Sequence, residues 1–393
     1  MRLVHGVDDT PRHRCGLAVF GHDPAHTGDR RDFAGVNSAP TNGAARAPVR
    51  QLLLNRRSCR KGAGGMAEIR IIREADDLVA LRPQWWQLWQ RAAAPPFLSP
   101  AWLLPWWQVF RPGELRSIAV IDGARLIALA PLYCDRGRLL PVGIALSDYL
   151  DVLADPTDPR ALPALARGVR ELPDWSECSL EELPPAAAAL DLPAPEGCGD
   201  GAEAQSACPV LALPGSADRL CDAIPAGKLR KLRMARHRAD RRGGVTLECV
   251  GGDGIGGFLH ELTRLHRARW GEKGGSGALR GELVEDFLAR ATPQLQAAGL
   301  GRLFLLRLGG CCAGAYYGLS DGQRAYAWLG GFDPRFAYES PGTLLIAHAI
   351  EAAVAEGCRE FHFLRGRERY KYEWGAVDRW SVRRVLWREA SHA

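Results

Sequence analysis

From residue 68 onward the hydrophobic positions switch between a period of two and a period near 3.6, in short runs punctuated by Gly, Pro, Asp and Asn. Ile69 to Ile72 reads as a first strand, Asp76 to Arg91 as a helix capped by Asp76, and Pro100 to Phe110 as a second, aromatic helix. Strands are expected over Arg116–Ile121, Leu126–Tyr133 and Asp151–Leu153, with Asp122-Gly123 turning a hairpin between the first two. A helix over Arg160–Leu172 and a strand over Glu177–Glu181 follow, and the Ala-, Pro- and Gly-rich stretch Pro184–Ala207 reads as a loop. Trp85, Trp86, Trp89, Trp102, Trp106 and Trp107 recur at helical spacings and are expected to build a core.

The second half repeats the theme. A basic helix (Ile224–Arg242) leads to a strand (Val245–Val250), a helix (Ile255–Arg269), a Gly-rich loop (Gly271–Gly277) and a further helix (Glu282–Ala298). Strands Leu303–Leu308, Cys312–Ser320 and Arg324–Leu329 come next, then a helix (Thr343–Glu356), a strand (Glu360–Leu364) and a closing strand (Val382–Trp387). The pattern predicts an α+β chain of two similar lobes, residues 66–215 and 216–393, with mixed, mainly antiparallel sheets flanked by helices. Residues 1–65 show no sustained period and are expected to be a disordered extension, read either as sequence upstream of a true start at Met66 or as a basic targeting arm.

Charge sharpens this division. The chain has 51 basic and 45 acidic residues, and residues 1–65 hold 11 and 5 of them, so the body carries 40 of each and offers no broad field for DNA. The 11 cysteines are scattered with no C-x-x-C pair, which points to small apolar core residues in a reducing, cytoplasmic setting and to no metal site. The most apolar stretches are broken by Asp122, Arg125, His348 and Glu351, so no transmembrane segment is expected.

The chemistry concentrates between Gly331 and Trp374. Ser340-Pro341-Gly342-Thr343 feeds a turn into an amphipathic helix whose free N–H groups and positive dipole end suit a pyrophosphate. The strand after that helix runs into Leu364-Arg365-Gly366-Arg367-Glu368-Arg369-Tyr370-Lys371-Tyr372-Glu373-Trp374. Together with Leu265–Trp270 and Ser147–Asp151, these residues resemble the CelD/BcsL-like acetyltransferases of the GNAT superfamily, associated with bacterial cellulose and exopolysaccharide loci, over roughly residues 68–387. The match holds at Ser340, Pro341, Gly342, Leu364, Arg365, Gly366, Glu368, Tyr370, Lys371 and Trp374, and departs at His362 and Arg367, where that family usually has acids. The glycine-rich turn common in GNAT enzymes is missing before the helix.

The resemblance implies tandem GNAT-like lobes and transfer of an acyl group, acetyl above all, from acyl-CoA to an amine or hydroxyl of a small or saccharide acceptor, without a metal. His266, one turn before Trp270, reads either as a packed histidine or as the general base. Glu368 is the alternative base, Tyr370 a proton donor to the leaving thiolate, and Lys371 or Arg365 a holder of an anionic acceptor or cofactor phosphate. Cofactor contacts are expected from Ser340, Pro341, Gly342, Thr343 and Arg365, and acceptor contacts from Arg269, Trp270, Asp148, Tyr149 and Trp374. Lys228–Arg242 holds eight Lys/Arg in fifteen positions and reads as a solvated face or as an anion-binding one. Two rivals stand beside this reading: a Fem-like aminoacyltransferase using charged tRNA, and a non-catalytic GNAT scaffold serving a polysaccharide synthase.

Overall fold

The computed structural model describes residues 67–271 and 281–389; the expected N-terminal extension, nearly all of the Gly271–Gly277 loop and the side chains of residues 269–271 lie outside the described residues. The first half runs β1 (Glu68–Ile72), α1 (Ala75–Ala80), α2 (Arg82–Arg91), α3 (Pro100–Phe110), β2 (Glu114–Leu115), β3 (Ser117–Asp122), β4 (Arg125–Ala130), β5 (Leu132–Asp135), β6 (Arg138–Pro141), β7 (Leu153–Ala154), α4 (Ala161–Glu171), β8 (Glu177–Leu183) and β9 (Cys198–Ala212). The second half continues with α5 (Leu220–Ala223), α6 (Ala226–Arg241), β10 (Val245–Cys249), α7 (Ile255–Gly271), α8 (Glu282–Ala297), β11 (Gly301–Leu308), β12 (Cys311–Ser320), β13 (Arg324–Phe332), α9 (Pro341–Ala355), β14 (Glu360–His362), α10 (Arg369–Glu373) and β15 (Val377–Arg388).

Three local expectations are corrected, each for a backbone reason. The single helix Asp76–Arg91 is two, because Pro83 cannot donate into a preceding turn and opens α2 instead; the cap position of α1 is Glu74, not Asp76. Leu126–Tyr133 is likewise divided at Pro131, so that β4 pairs with β3 while β5 pairs with β2 and β6 in the other sheet. The expected loop Pro184–Ala207 ends in the 15-residue strand β9. Its lack of large apolar residues before Val210 hid it from the sequence; tertiary pairing makes it a strand, since β15 pairs with it over Cys198–Val210 and β14 takes its other edge at Val210–Ala212. Gly199 is there for a steric reason: a Cβ would fall 2.2 Å from the Trp387 ring.

The strands form a four-stranded sheet, β1-β3-β4-β7, and an eleven-stranded sheet, β10-β11-β12-β13-β14-β9-β15-β8-β6-β5-β2, which runs through both halves of the chain. The final strand β15 stands in its interior, with β9 on one side and β8 on the other. The core is also shared. Trp102 of α3 meets Phe287 of α8 and Trp328 of β13 edge-on, at centroid distances of 5.0 and 4.9 Å. Of the six clustered tryptophans, Trp85, Trp102, Trp106 and Trp107 are buried as expected and Trp86 and Trp89 are half-buried.

Candidate active site

β13 and β14 run parallel, yet they pair only from Arg324↔Glu360 to Tyr326↔His362. Beyond that point β13 continues to Phe332, while the chain after β14 turns away through Leu364 and Gly366, which take φ of 60° and 106°. β12 occupies the other edge of β13, so beyond Tyr326 the edge of β13 that faces the gap is paired with no strand among the described residues. One wall of the gap is set by α7: a Cβ on Gly331 would lie 2.6 Å from the His266 backbone nitrogen, so only glycine lets the helix lie this close. Phe332 of β13 stands beside Gly342, in the first turn of α9, where an added Cβ would fall 3.5 Å away.

α9 begins as the sequence suggests. Ser340 is left-handed at φ 59°, Pro341 occupies the first turn, and Ser340, Gly342 and Thr343 are half-buried. The sequence reading missed Lys228 as a site residue. It lies on the buried stripe of α6 with Leu232, Ala235 and Ala239, and its Nζ donates to Thr343 Oγ1 at 3.4 Å, 4.4 Å from the centre of the Trp374 ring. Burial pushes its pKa down, opposed by Glu373, whose carboxylate lies 3.8 Å away. A buried ammonium at the positive end of a helix is electrostatically costly alone and becomes favourable when an anion sits between them. The legible signal was a lysine at i, i+4, i+7 spacing with apolar residues.

The post-β14 turn is locked rather than open. Lys371 is buried and its Nζ donates to the carbonyls of Leu364, Arg365 and Gly366 at 3.1, 2.6 and 3.1 Å, with the Glu368 carboxylate at 2.9 Å. An ammonium has three protons, so this set spends them; the expected catalytic or anchoring role of Lys371 gives way to holding the turn. Arg365 is corrected in the same way. Its guanidinium is held by Asp148 at 2.9 Å and Glu182 at 3.2 Å, which leaves it a clamp between the two halves of the chain instead of a phosphate ligand. Trp374 is 1% exposed and cannot stack on an acceptor. Asp148 and Tyr149, also expected as acceptor contacts, are buried too and are engaged by Arg365 and His362.

Tyr149 belongs to a chain of interior polar groups. Its O–H donates to His362 Nδ1 at 3.1 Å, His362 Nε2–H donates to Glu360 at 3.0 Å, and Arg379 donates to both Glu360 oxygens at 2.9 and 2.6 Å. The carboxylate accepts only, which fixes the neutral imidazole with its proton on Nε2. Burial pushes the His362 pKa down, and the His362 hydrogen bond followed by Arg379 brings Glu360 to about 2. This network stands where the two strands part, so the histidine that departs from the family pattern has a structural use.

Of the remaining expected groups, Glu368 is exposed at the cap of α10 and Tyr370 is 39% exposed with its ring against Phe363. His266 is buried on α7, and the side chains of Arg269 and Trp270 lie outside the described residues. A separate cavity of about 440 Å³, between α2, α3 and α8 and lined by Arg82, Trp86, Trp89 and Gln294, holds none of these groups. Among the described residues no cluster of His, Cys, Asp and Glu could hold a metal ion, and no helix is long and apolar enough to cross a membrane.

Comparison with known proteins agrees with this geometry. Residues 226–372 match the profile of the family described as Acetyltransferase (GNAT) domain, a span that starts at α6 and ends in α10. A search of curated proteins finds no relative by sequence. Among solved structures, the chain is similar in fold to FemX, at 13% identity and a TM-score of 0.56, covering 81% of this chain and 96% of that one. It is also similar to the C-terminal domain of a putative lysylphosphatidylglycerol synthetase from Agrobacterium fabrum (13% identity, TM-score 0.50, 80% and 93% covered). L-PGS from Bacillus licheniformis is a third such structure (14% identity, TM-score 0.51, 78% and 91% covered). The parted strands, the helix N-terminus beside them and the profile match lead to one conclusion: residues 226–372 are an acetyltransferase (GNAT) domain, and the α+β chain that carries it is an acyltransferase.

Proposed function

We propose that this chain transfers an acyl group, acetyl in the first instance, from acyl-CoA to an amine or hydroxyl acceptor in the cytoplasm, with residues 66–215 acting as a supporting lobe. The observation that carries the reading is the gap between β13 and β14, with the α9 N-terminus and Lys228 beside it. Acyl-CoA supplies an activated thioester carbonyl and an anionic pyrophosphate. Backbone N–H groups of Ala327–Gly331, on the edge of β13 that β14 leaves, donate to the acyl oxygen and hold it more strongly as charge builds there. The α9 N-terminus and the Lys228 ammonium favour the phosphates. Glu368 or His266 accepts the acceptor's proton, and Tyr370 returns one to the thiolate. A saccharide acceptor is supported by the motif Leu364–Trp374 alone.

Calorimetric titration with acetyl-CoA, longer acyl-CoAs and CoA tests this. Saturable binding is expected, weakened roughly tenfold in Lys228→Met, which keeps the packing and removes the charge. Folded protein that binds no CoA species refutes the reading. The fold shared with FemX, with L-PGS and with the C-terminal domain of a putative lysylphosphatidylglycerol synthetase favours one second reading, an aminoacyl donor such as charged tRNA. Binding of charged tRNA by protein that ignores acyl-CoA would establish it.

A further inference from the structure

Helix α6 has two faces of opposite character. Lys228, Leu232, Ala235 and Ala239 are buried against the body, at spacings of four, three and four. The opposite stripe, Arg230, Arg233, Met234, His237 and Arg241, is exposed along its whole length, which is about 16 Å at 1.5 Å per residue. The other basic groups of this helix already have partners. Lys231 pairs with Glu373 at 3.0 Å, Arg236 with Glu351 at 2.6 Å, and Arg238 donates to the Tyr338 carbonyl and stacks on its ring. Among the described residues no carboxylate lies within ion-pair distance of Arg230, Arg233 or Arg241.

We propose that the Arg230–Arg233–Arg241 stripe of α6 docks the protein onto the surface of an anionic phospholipid bilayer. The charge is complementary, and guanidinium groups bond phosphate oxygens in pairs. The body has no net charge, so a stripe of uncompensated arginines is a local feature and not the overspill of a basic protein. Two apolar groups share this face: Met234, 48% exposed at the centre of the stripe, and Tyr338, 61% exposed beside Arg238. A flat array of headgroups accommodates both, at the level where amphipathic side chains rest. The convex face of a helix forms no groove for a polynucleotide, and Arg238 already covers one face of the Tyr338 ring. The helix cannot insert its apolar side, which is packed on the body, so the attachment is electrostatic and peripheral. Lys228 is in the same helix, so docking would bring the α9 N-terminus near the bilayer. The proposal does not depend on the identity of the acyl donor.

Co-sedimentation of the full chain with vesicles tests it, comparing phosphatidylcholine alone with phosphatidylcholine containing about 30% phosphatidylglycerol. Binding to the anionic vesicles alone is expected, lost when salt rises from about 0.05 to 0.5 M. The triple variant Arg230→Glu, Arg233→Glu, Arg241→Glu should fall in affinity by roughly a hundredfold or more, with an unchanged melting temperature because all three side chains are exposed. Attraction contributed by residues 1–65 would persist in that variant. Equal partition into both vesicle types, or a triple variant that binds as the parent does, overturns the proposal. So does an RNA oligonucleotide bound more tightly than the vesicles and released by the same three changes.

Discussion

At the scale of single residues, the structure separates groups that hold the site from groups that face it. Lys371 and Arg365 carry the right chemistry for anion binding, but their charges are already spent on Leu364, Arg365 and Gly366 carbonyls and on Asp148 and Glu182. His362 and Glu360 give this scale a pH signature. Both groups have folded-state pKa values below their unfolded values, so each contributes stability that is complete above the unfolded value and lost as pH falls. For His362 the loss begins below about 6.5, and for Glu360 it runs from about 4.5 down towards 2. Urea midpoints should therefore decline between pH 7.5 and pH 5, and His362→Gln should flatten that slope. A midpoint that does not change over this range would contradict a buried, neutral His362.

At the scale of elements, close approach of backbone decides where the gap forms. Gly331→Ala sets a Cβ against the backbone of His266 and Leu265, which cannot rotate aside, so α7 must lift from β13. A loss of about 1–3 kcal/mol in chemical denaturation is expected, with reduced activity. Gly342→Ala is the contrasting case: the added Cβ meets only Phe332 at ordinary contact distance, and φ is not positive. Stability should hold while affinity for acyl-CoA falls, because the methyl group enters the space in front of the α9 N-terminus. If both variants lose stability equally, α9 is tied to β13 more tightly than these distances indicate.

At the scale of the whole molecule, the two lobes expected from the sequence share a sheet and a core. β15, the last strand, is inserted between β9 and β8, and Trp102 from the first half packs on Trp328 and Phe287 from the second. Trp102→Ala should therefore cost about 3–5 kcal/mol and move a single unfolding transition, as followed by circular dichroism and by tryptophan fluorescence together. Two separated transitions, with only one shifted, would show that the halves unfold independently despite the shared sheet.

The sequence by itself determined most of the order of helices and strands from Glu68 on, short of β2, β6, β9, α10 and the break between α1 and α2, together with the aromatic core of α2 and α3, the hairpin at Gly123 and the start of α9, because each follows from local periodicity, Pro and Gly constraints or turn chemistry. It also pointed to the segment Ser340–Trp374, where the chain parts its strands. Only the tertiary structure decided that β9 is a strand, that β15 joins both halves, and that Arg365, Lys371, Asp148, Tyr149 and Trp374 are consumed inside the protein. The reason is physical. A residue's type states which bonds it can make, but burial and the partners brought from 200 residues away, such as Asp148 to Arg365 at a separation of 217, settle which of them it has left for a ligand.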